Sequence, residues 1–283
     1  MKIKVLTDSV SDLTPQDVAK YQIGLIPLTV NFGNESYLDK DELTIEQFYH
    51  KLAESKVNPT TSQPSPGSFI TAFEDALAEN DLVIYIGVSE KLSGTFSGAQ
   101  FAANQVQNDR LILFDSGNVT FAQGMIVLAL CRKLPDIKSR KELIGYLNYL
   151  RQQLRSYYIV DTLEYLIRGG RVNWAQGTLG NLLGIKPIIT IRDGDLKVVG
   201  KARSFHRAMV DVIKLMKKDV PSMKLGGIGL FHAVAPDRLE SFRKLLVKQF
   251  TIGPVYHAYV GSVIGTHAGP GAIAIAFFKD CNI

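Results

Sequence analysis

Cysteine is scarce. The chain has two, Cys131 and Cys281, far apart and in no Cys-x-x-Cys pair. A disulfide framework and a thiol-based zinc or redox motif are thereby excluded, and reduced, incidental thiols are expected. There is no His-Glu-x-x-His and no Cys/His cluster to hold zinc. There is no Gly-x-x-x-x-Gly-Lys-[Ser/Thr] loop, and no Gly-x-Gly-x-x-Gly opens a helix, which removes the usual phosphate cradles of nucleotide enzymes. Gly87-Val88-Ser89-Glu90-Lys91 lacks the closing glycine of a nucleophile elbow. Apolar runs are short as well: the longest, residues 125–131 and 272–278, fall far below what spans a bilayer. Lys2 and Lys4 flank only a few apolar residues before Thr7-Asp8-Ser9 ends the run, which is no secretory signal, so a cytoplasmic protein is expected.

What is present is ordinary in amount and uneven in placement. Of 283 residues, 46% are apolar and 21% charged, values of a globular chain long enough for one large or two medium domains. The net charge of +5 hides a division. Residues 1–150 carry 13 basic against 18 acidic side chains, and residues 151–283 carry 19 against 9. A basic second half can attract an acidic protein, an anionic membrane surface or nucleic acid, or can simply be a solvated surface. No helix-turn-helix or aromatic RNA-binding signature supports nucleic acid, which is not expected as a partner.

Residues 1–120 alternate strand and helix. Apolar runs at 2–6, 82–87 and 111–114 read as buried parallel strands, with another strand at 26–30. Thr14-Pro15 starts a helix, Thr44-Ile45-Glu46-Gln47 is a capping box for a helix reaching about Ser55, and Ser65-Pro66 opens the next. Two helices fill 120–155, the second capped at Ser139. From Tyr157 the pattern changes to a hairpin turning at Asp193-Gly194-Asp195. Helices at about 204–218 and 236–248 then alternate with strands at 225–231, 255–260 and 272–278. The expected fold is α/β in two domains: residues 1–157 with a doubly wound parallel sheet, and residues 158–283 with a mixed sheet.

Hydroxyls crowd the places where strand turns into helix. They are Thr7-Asp8-Ser9, Thr60-Thr61-Ser62, Ser93-Gly94-Thr95 and Asp115-Ser116-Gly117. In open α/β sheets ligands bind beyond the carboxyl ends of the strands, and helix N-termini with hydroxyls suit an anion. The same residues also serve as turns and helix caps, and spacing alone leaves both readings open. Arg168 and Arg171 flank Gly169-Gly170: a guanidinium there can grip a carboxylate, or complement a helix C-terminus. His267, set in Gly265-Thr266-His267-Ala268-Gly269-Pro270-Gly271, can donate to an anion or be a structural histidine. Asp8, Asp12 and Asp115 can in principle hold a divalent cation at the sheet edge, though turn hydrogen bonds account better for Asp8 and Asp12.

Taken together, five motifs resemble the DegV family of bacterial lipid-binding proteins, whose members include the FakB fatty-acid carriers. They are Thr7-Asp8-Ser9 with Asp12-Leu13; Thr61-Ser62-Gln63-Pro64-Ser65; Leu92-Ser93-Gly94-Thr95; Thr162-Leu163-Glu164-Tyr165-Leu166 with Gly169-Gly170-Arg171; and Thr266-His267 with Gly269-Pro270-Gly271. The resemblance runs in the family's order from residue 7 to 271. It implies a long-chain fatty acid held between two domains, with no cofactor and no metal. Thr61 and Ser93 would bond the carboxylate, His267 would assist, Ser62 would lie close by, and Arg171 would support the network. It further implies presentation of the carboxylate to a fatty acid kinase feeding phospholipid synthesis, docked near Arg203, with transient membrane-surface contact. Leu163, Leu166, Ile185, Ile188, Ile189, Phe231 and Ile264 are candidate tunnel residues. A second reading, from the fold's likeness to the dihydroxyacetone kinase architecture, is a small-molecule phosphotransferase or phosphosugar enzyme.

Overall fold

The computed structural model describes residues 2–172 and 184–280; Cys281 lies outside them. Four parallel strands make the first sheet, in the order Gly24–Ile26, Ile3–Asp8, Leu82–Gly87 and Leu111–Asp115. Leu82–Gly87 is buried along its whole length, as a central parallel strand must be when both faces are covered. Helices Pro66–Glu79 and Thr95–Val106 cover one face through Phe69, Phe73, Phe96 and Ala99.

The second sheet has six strands, in the order Asp195–Ala202, Lys186–Arg192, Leu154–Ile159, Ile273–Phe278, Ile228–His232 and Val255–Tyr259. All its neighbours are antiparallel except Ile228–His232 with Val255–Tyr259, so the sheet is mixed, as expected. The hairpin turns at Asp193 and Gly194, both at positive φ, the backbone a two-residue turn needs to follow the twist of its strands. Helices Phe205–Asp219 and Pro236–Leu246 pack on one face of this sheet. The expected boundary at 157/158 falls inside strand Leu154–Ile159.

Helix Thr120–Lys133 fills the space between the sheets and is buried from Thr120 through Cys131. A helix apolar on every side has to be enclosed on every side. Its neighbours include strands of both sheets, and one hydrophobic core runs through it from the first sheet to the second.

Three expectations are corrected, and one helix is added. The strand placed at 26–30 is broken at Pro27, whose missing N–H cannot continue a ladder. Thr29–Phe32 instead pairs antiparallel with Glu35–Leu38 and Thr60–Ser62 in a separate three-stranded sheet, so Thr60-Thr61-Ser62 is strand rather than turn. The strand at 225–231 divides at Gly226-Gly227, where Lys224–Leu225 pairs with Thr251–Ile252 and Ile228–His232 joins the second sheet. His267 lies on a helix, Ser262–Ala268, hidden in the sequence by Gly265 within it and the glycines that cap it.

Candidate functional site

Strand Ile3–Asp8 leads one way across the first sheet, to Gly24–Ile26, and Leu82–Gly87 leads the other way, to Leu111–Asp115. Between their carboxyl ends lies the switch point where doubly wound sheets open a crevice. A largely apolar cavity begins there, lined by Val10 and Val88 from the two strand ends. Its other walls include Leu28, Val119, Tyr158, Val160, Ile189, Ile191, Leu196 and Val263. It encloses about 750 Å³ free of protein atoms, its mouth included.

Asp8 builds the crevice without entering it. Fully buried, it accepts hydrogen bonds from Val88 N (2.8 Å), the Tyr85 hydroxyl (2.7 Å), Gln123 Nε2 (3.1 Å) and Val10 N (3.2 Å). Both cavity-lining turns are thus pinned to one carboxylate, whose pKa burial raises. Among the described residues no group of three or more His, Cys, Asp or Glu is placed to hold a metal ion.

Thr61, Ser93, His267 and Arg171 all line the cavity at its polar end. Thr61 pairs across the small sheet with Val30. Because successive strand residues face opposite sides, Ser62 turns away: its hydroxyl accepts from Asn31 Nδ2 at 3.1 Å, and Ser62 is not part of the lining. Ser93 sits just before helix Thr95–Val106, with its Oγ 2.9 Å from Thr95 Oγ1. The chain after Thr61 passes this helix start, with the Gln63 side chain against Gly94. A Cβ there would stand 2.6 Å from Gln63 Oε1.

His267 Nε2 lies 2.9 Å from Thr61 Oγ1, joining residues 206 positions apart. Its other nitrogen rests against Gly169, where an added Cβ would meet Nδ1 at 2.2 Å. Burial, then the nearby Arg171 charge, pushes the imidazole pKa down to about 4. The ring is therefore neutral at neutral pH. If Nε2 carries the proton it donates to Thr61, whose own hydroxyl proton is free for an acceptor in the cavity. Arg171 donates from Nε to Leu92 O (3.2 Å) and from a terminal nitrogen to Gly169 O, tying the Ser93 loop to the His267 platform. Burial lowers its pKa. No ion pair holds its guanidinium among the described residues, so the polar end carries net positive charge.

Of the candidate tunnel residues, Leu166, Ile189 and Ile264 line the cavity. Leu163, Ile188 and Phe231 are packed in the core, and Ile185 is not in the lining. Ile188 and Ile189 show why sequence could not choose: adjacent on one strand, they face opposite sides of the sheet, toward different cores. Sequence reasoning also missed Tyr158, Val160, Ile191, Leu196 and Val263, whose apolar identity is the same as that of any core residue. Arg203 is exposed between strand Asp195–Ala202 and helix Phe205–Asp219 and has no part in the cavity.

Fold and site together define an α/β protein with two main sheets and a largely apolar cavity bordered by hydroxyls, a neutral histidine and an arginine. The chain belongs to the DegV family, whose model matches residues 2–280. It is 36% identical over 280 residues to a DegV domain-containing protein of Caldanaerobacter subterraneus, covering 99% of each chain. Among solved structures it is similar to a DegV family protein from Thermus thermophilus described for fatty acid binding. The TM-score is 0.91 at 31% identity, covering 98% of this chain and 99% of that one. DegV from Bacillus subtilis, a fatty acid binding protein, superimposes with TM-score 0.87 at 31% identity, with coverage of 98% and 99%.

Proposed function

We propose that this protein binds a long-chain fatty acid, its alkyl tail in the apolar cavity and its carboxylate at Thr61, Ser93 and His267. Arg171 supplies the compensating charge. The observation that carries the reading is the lining of one cavity: predominantly apolar, with Thr61, Ser93, His267 and the cationic Arg171 gathered on it. The fatty acid binding described for the Thermus and Bacillus relatives supports it.

The energetics are favourable. At ~0.8 kcal/mol per buried CH₂, about fifteen methylenes contribute on the order of 12 kcal/mol gross. Against this stand immobilisation and the desolvation of a carboxylate, several kcal/mol each when pairing is imperfect. The tail supplies affinity, and the polar end keeps the head group from cancelling it. Neutral donors stabilise a carboxylate while leaving an oxygen able to attack a phosphoryl donor. We extend the reading accordingly to a non-catalytic carrier, with lobes at 1–157 and 158–283, that presents the carboxylate to a fatty acid kinase docking at Arg203. The protein acts in the cytoplasm and touches membrane surfaces transiently to exchange its cargo. No helix among the described residues is long and apolar enough to cross a membrane.

The phosphotransferase reading finds less support. Asp8, the carboxylate nearest the switch point, is fully buried and occupied by four hydrogen bonds, which suits a structural pin better than a base or metal ligand. Mass spectrometry of a denaturing extract tests the proposal: acyl chains near one per protein are expected. No lipid, together with no binding of added palmitate or oleate, removes it.

A further inference from the structure

A second cleft opens beside the acyl cavity, where the hairpin tip at Asp193 and Gly194 meets the carboxyl end of strand Leu111–Asp115. Ser89 Oγ donates to Gly194 O at 2.6 Å and holds the tip there. Ile191 lines both spaces, so the hairpin is a shared wall. The cleft's character is the reverse of the cavity's. Lys91, Arg151, Arg155 and Arg192 converge on it, together with the acids Glu90, Asp115 and Asp193.

Those acids do not neutralise the cations by contact. Among the described residues no ion pair joins any of the three to a cleft cation. Asp115 accepts from Gly117 N at 2.8 Å, and burial, then the charge of Glu90, raises its pKa. Asp219, behind the cleft, is shared: it lies 3.7 Å from Arg155 Nε and 3.2 Å from Arg192, and accepts the Tyr157 hydroxyl. Arg155 is partly buried beside Arg192, whose like charge reinforces the effect of burial in lowering its pKa. Arg151 gives one N–H to Asp115 O and one to Asn148 Oδ1, keeps its other donors, and lies over the Phe114 ring. Arg155 and Arg192 thus share the one carboxylate of Asp219, and although one Arg155 nitrogen also serves the Gln152 and Leu154 carbonyls, guanidinium N–H groups remain for an oxyanion.

We propose that this cleft binds a small polyvalent oxyanion of the phosphate-ester class, held chiefly by Arg151, Arg155 and Arg192 with Lys91 at the rim. Pyrophosphate is a suitable probe, titrated calorimetrically into the whole protein at constant ionic strength. Saturable binding is expected, weakened about tenfold or more by Arg151→Gln, which removes one of the positive charges lining the cleft. Lys91→Gln weakens it in the same direction, and Thr61→Ala leaves it unchanged. Absence of saturable binding, or equal affinity in wild type and Arg151→Gln, overturns the proposal. A loss confined to Thr61→Ala also overturns it, because the anion then sits at the acyl head-group site.

Discussion

Replacing Gly169 by alanine tests the head-group geometry without removing a single polar atom. Gly169 has ordinary helical backbone angles (φ −72°, ψ −6°), so a Cβ adds no backbone strain. At a position with room, the substitution stabilises by about 0.4–1 kcal/mol through the unfolded chain. Here the Cβ would lie 2.2 Å from His267 Nδ1 and 3.0 Å from its Cε1. Contacts between such atoms settle near ~3.5 Å, so the ring must retreat by roughly 1 Å. Overpacking of this kind costs about 1–3 kcal/mol, and the displacement disturbs the 2.9 Å Thr61 contact, worth ~1 kcal/mol. Urea unfolding should show a net loss of about 1–3 kcal/mol, and a fluorescent fatty acid should bind about tenfold more weakly. The double variant Gly169→Ala/His267→Ala separates the two effects: stability returns, affinity does not. Wild-type stability and affinity in Gly169→Ala would refute the placement of His267.

Thr61→Ala with Ser93→Ala should weaken fatty acid binding by roughly 1–3 kcal/mol while the protein stays folded; unchanged affinity in a titration contradicts the assignment. His267 carries a pH signature. Its folded pKa of about 4 lies below its ordinary 6.5, so the unfolded chain binds more protons between those values. Stability from this group is intact above pH 6.5 and falls by ~1.4 kcal/mol per unit below it, about 3 kcal/mol by pH 4. Asp12, raised to about 7 by burial, acts in the opposite sense, but it is common to both proteins when wild type is compared with His267→Gln. Wild type should lose about 3 kcal/mol more than the variant on acidification, and parallel profiles would count against the buried neutral ring. Asp8→Asn sets an amide against the Val88 N–H and should destabilise by about 2–4 kcal/mol in urea; a stable variant would mean the four bonds matter little. Arg203→Glu should leave fatty acid affinity unchanged and slow phosphorylation by a partner kinase at least tenfold, and equal rates would remove the docking role.

The amino-acid sequence by itself determined the elements whose causes are local. The capping box at Thr44 forms with both bonds, Ser65 and Ser139 cap their helices, and the hairpin turns at Asp193 and Gly194. Each needs only a few neighbouring residues. Tertiary structure alone decided what depends on a face or on a distant partner. Thr61 faces the cavity and Ser62 does not, because pairing with Val30 sets which side of the small sheet is inward. Ile189 lines the cavity while Ile188 packs in the opposite core, a choice set by which layers cover each face of the sheet. The helix that carries His267 was hidden because Gly265 within it and its β-branched neighbours lower local helix propensity, and packing against distant elements overrides that preference. A cavity is the space left between layers, and no short stretch of chain contains it.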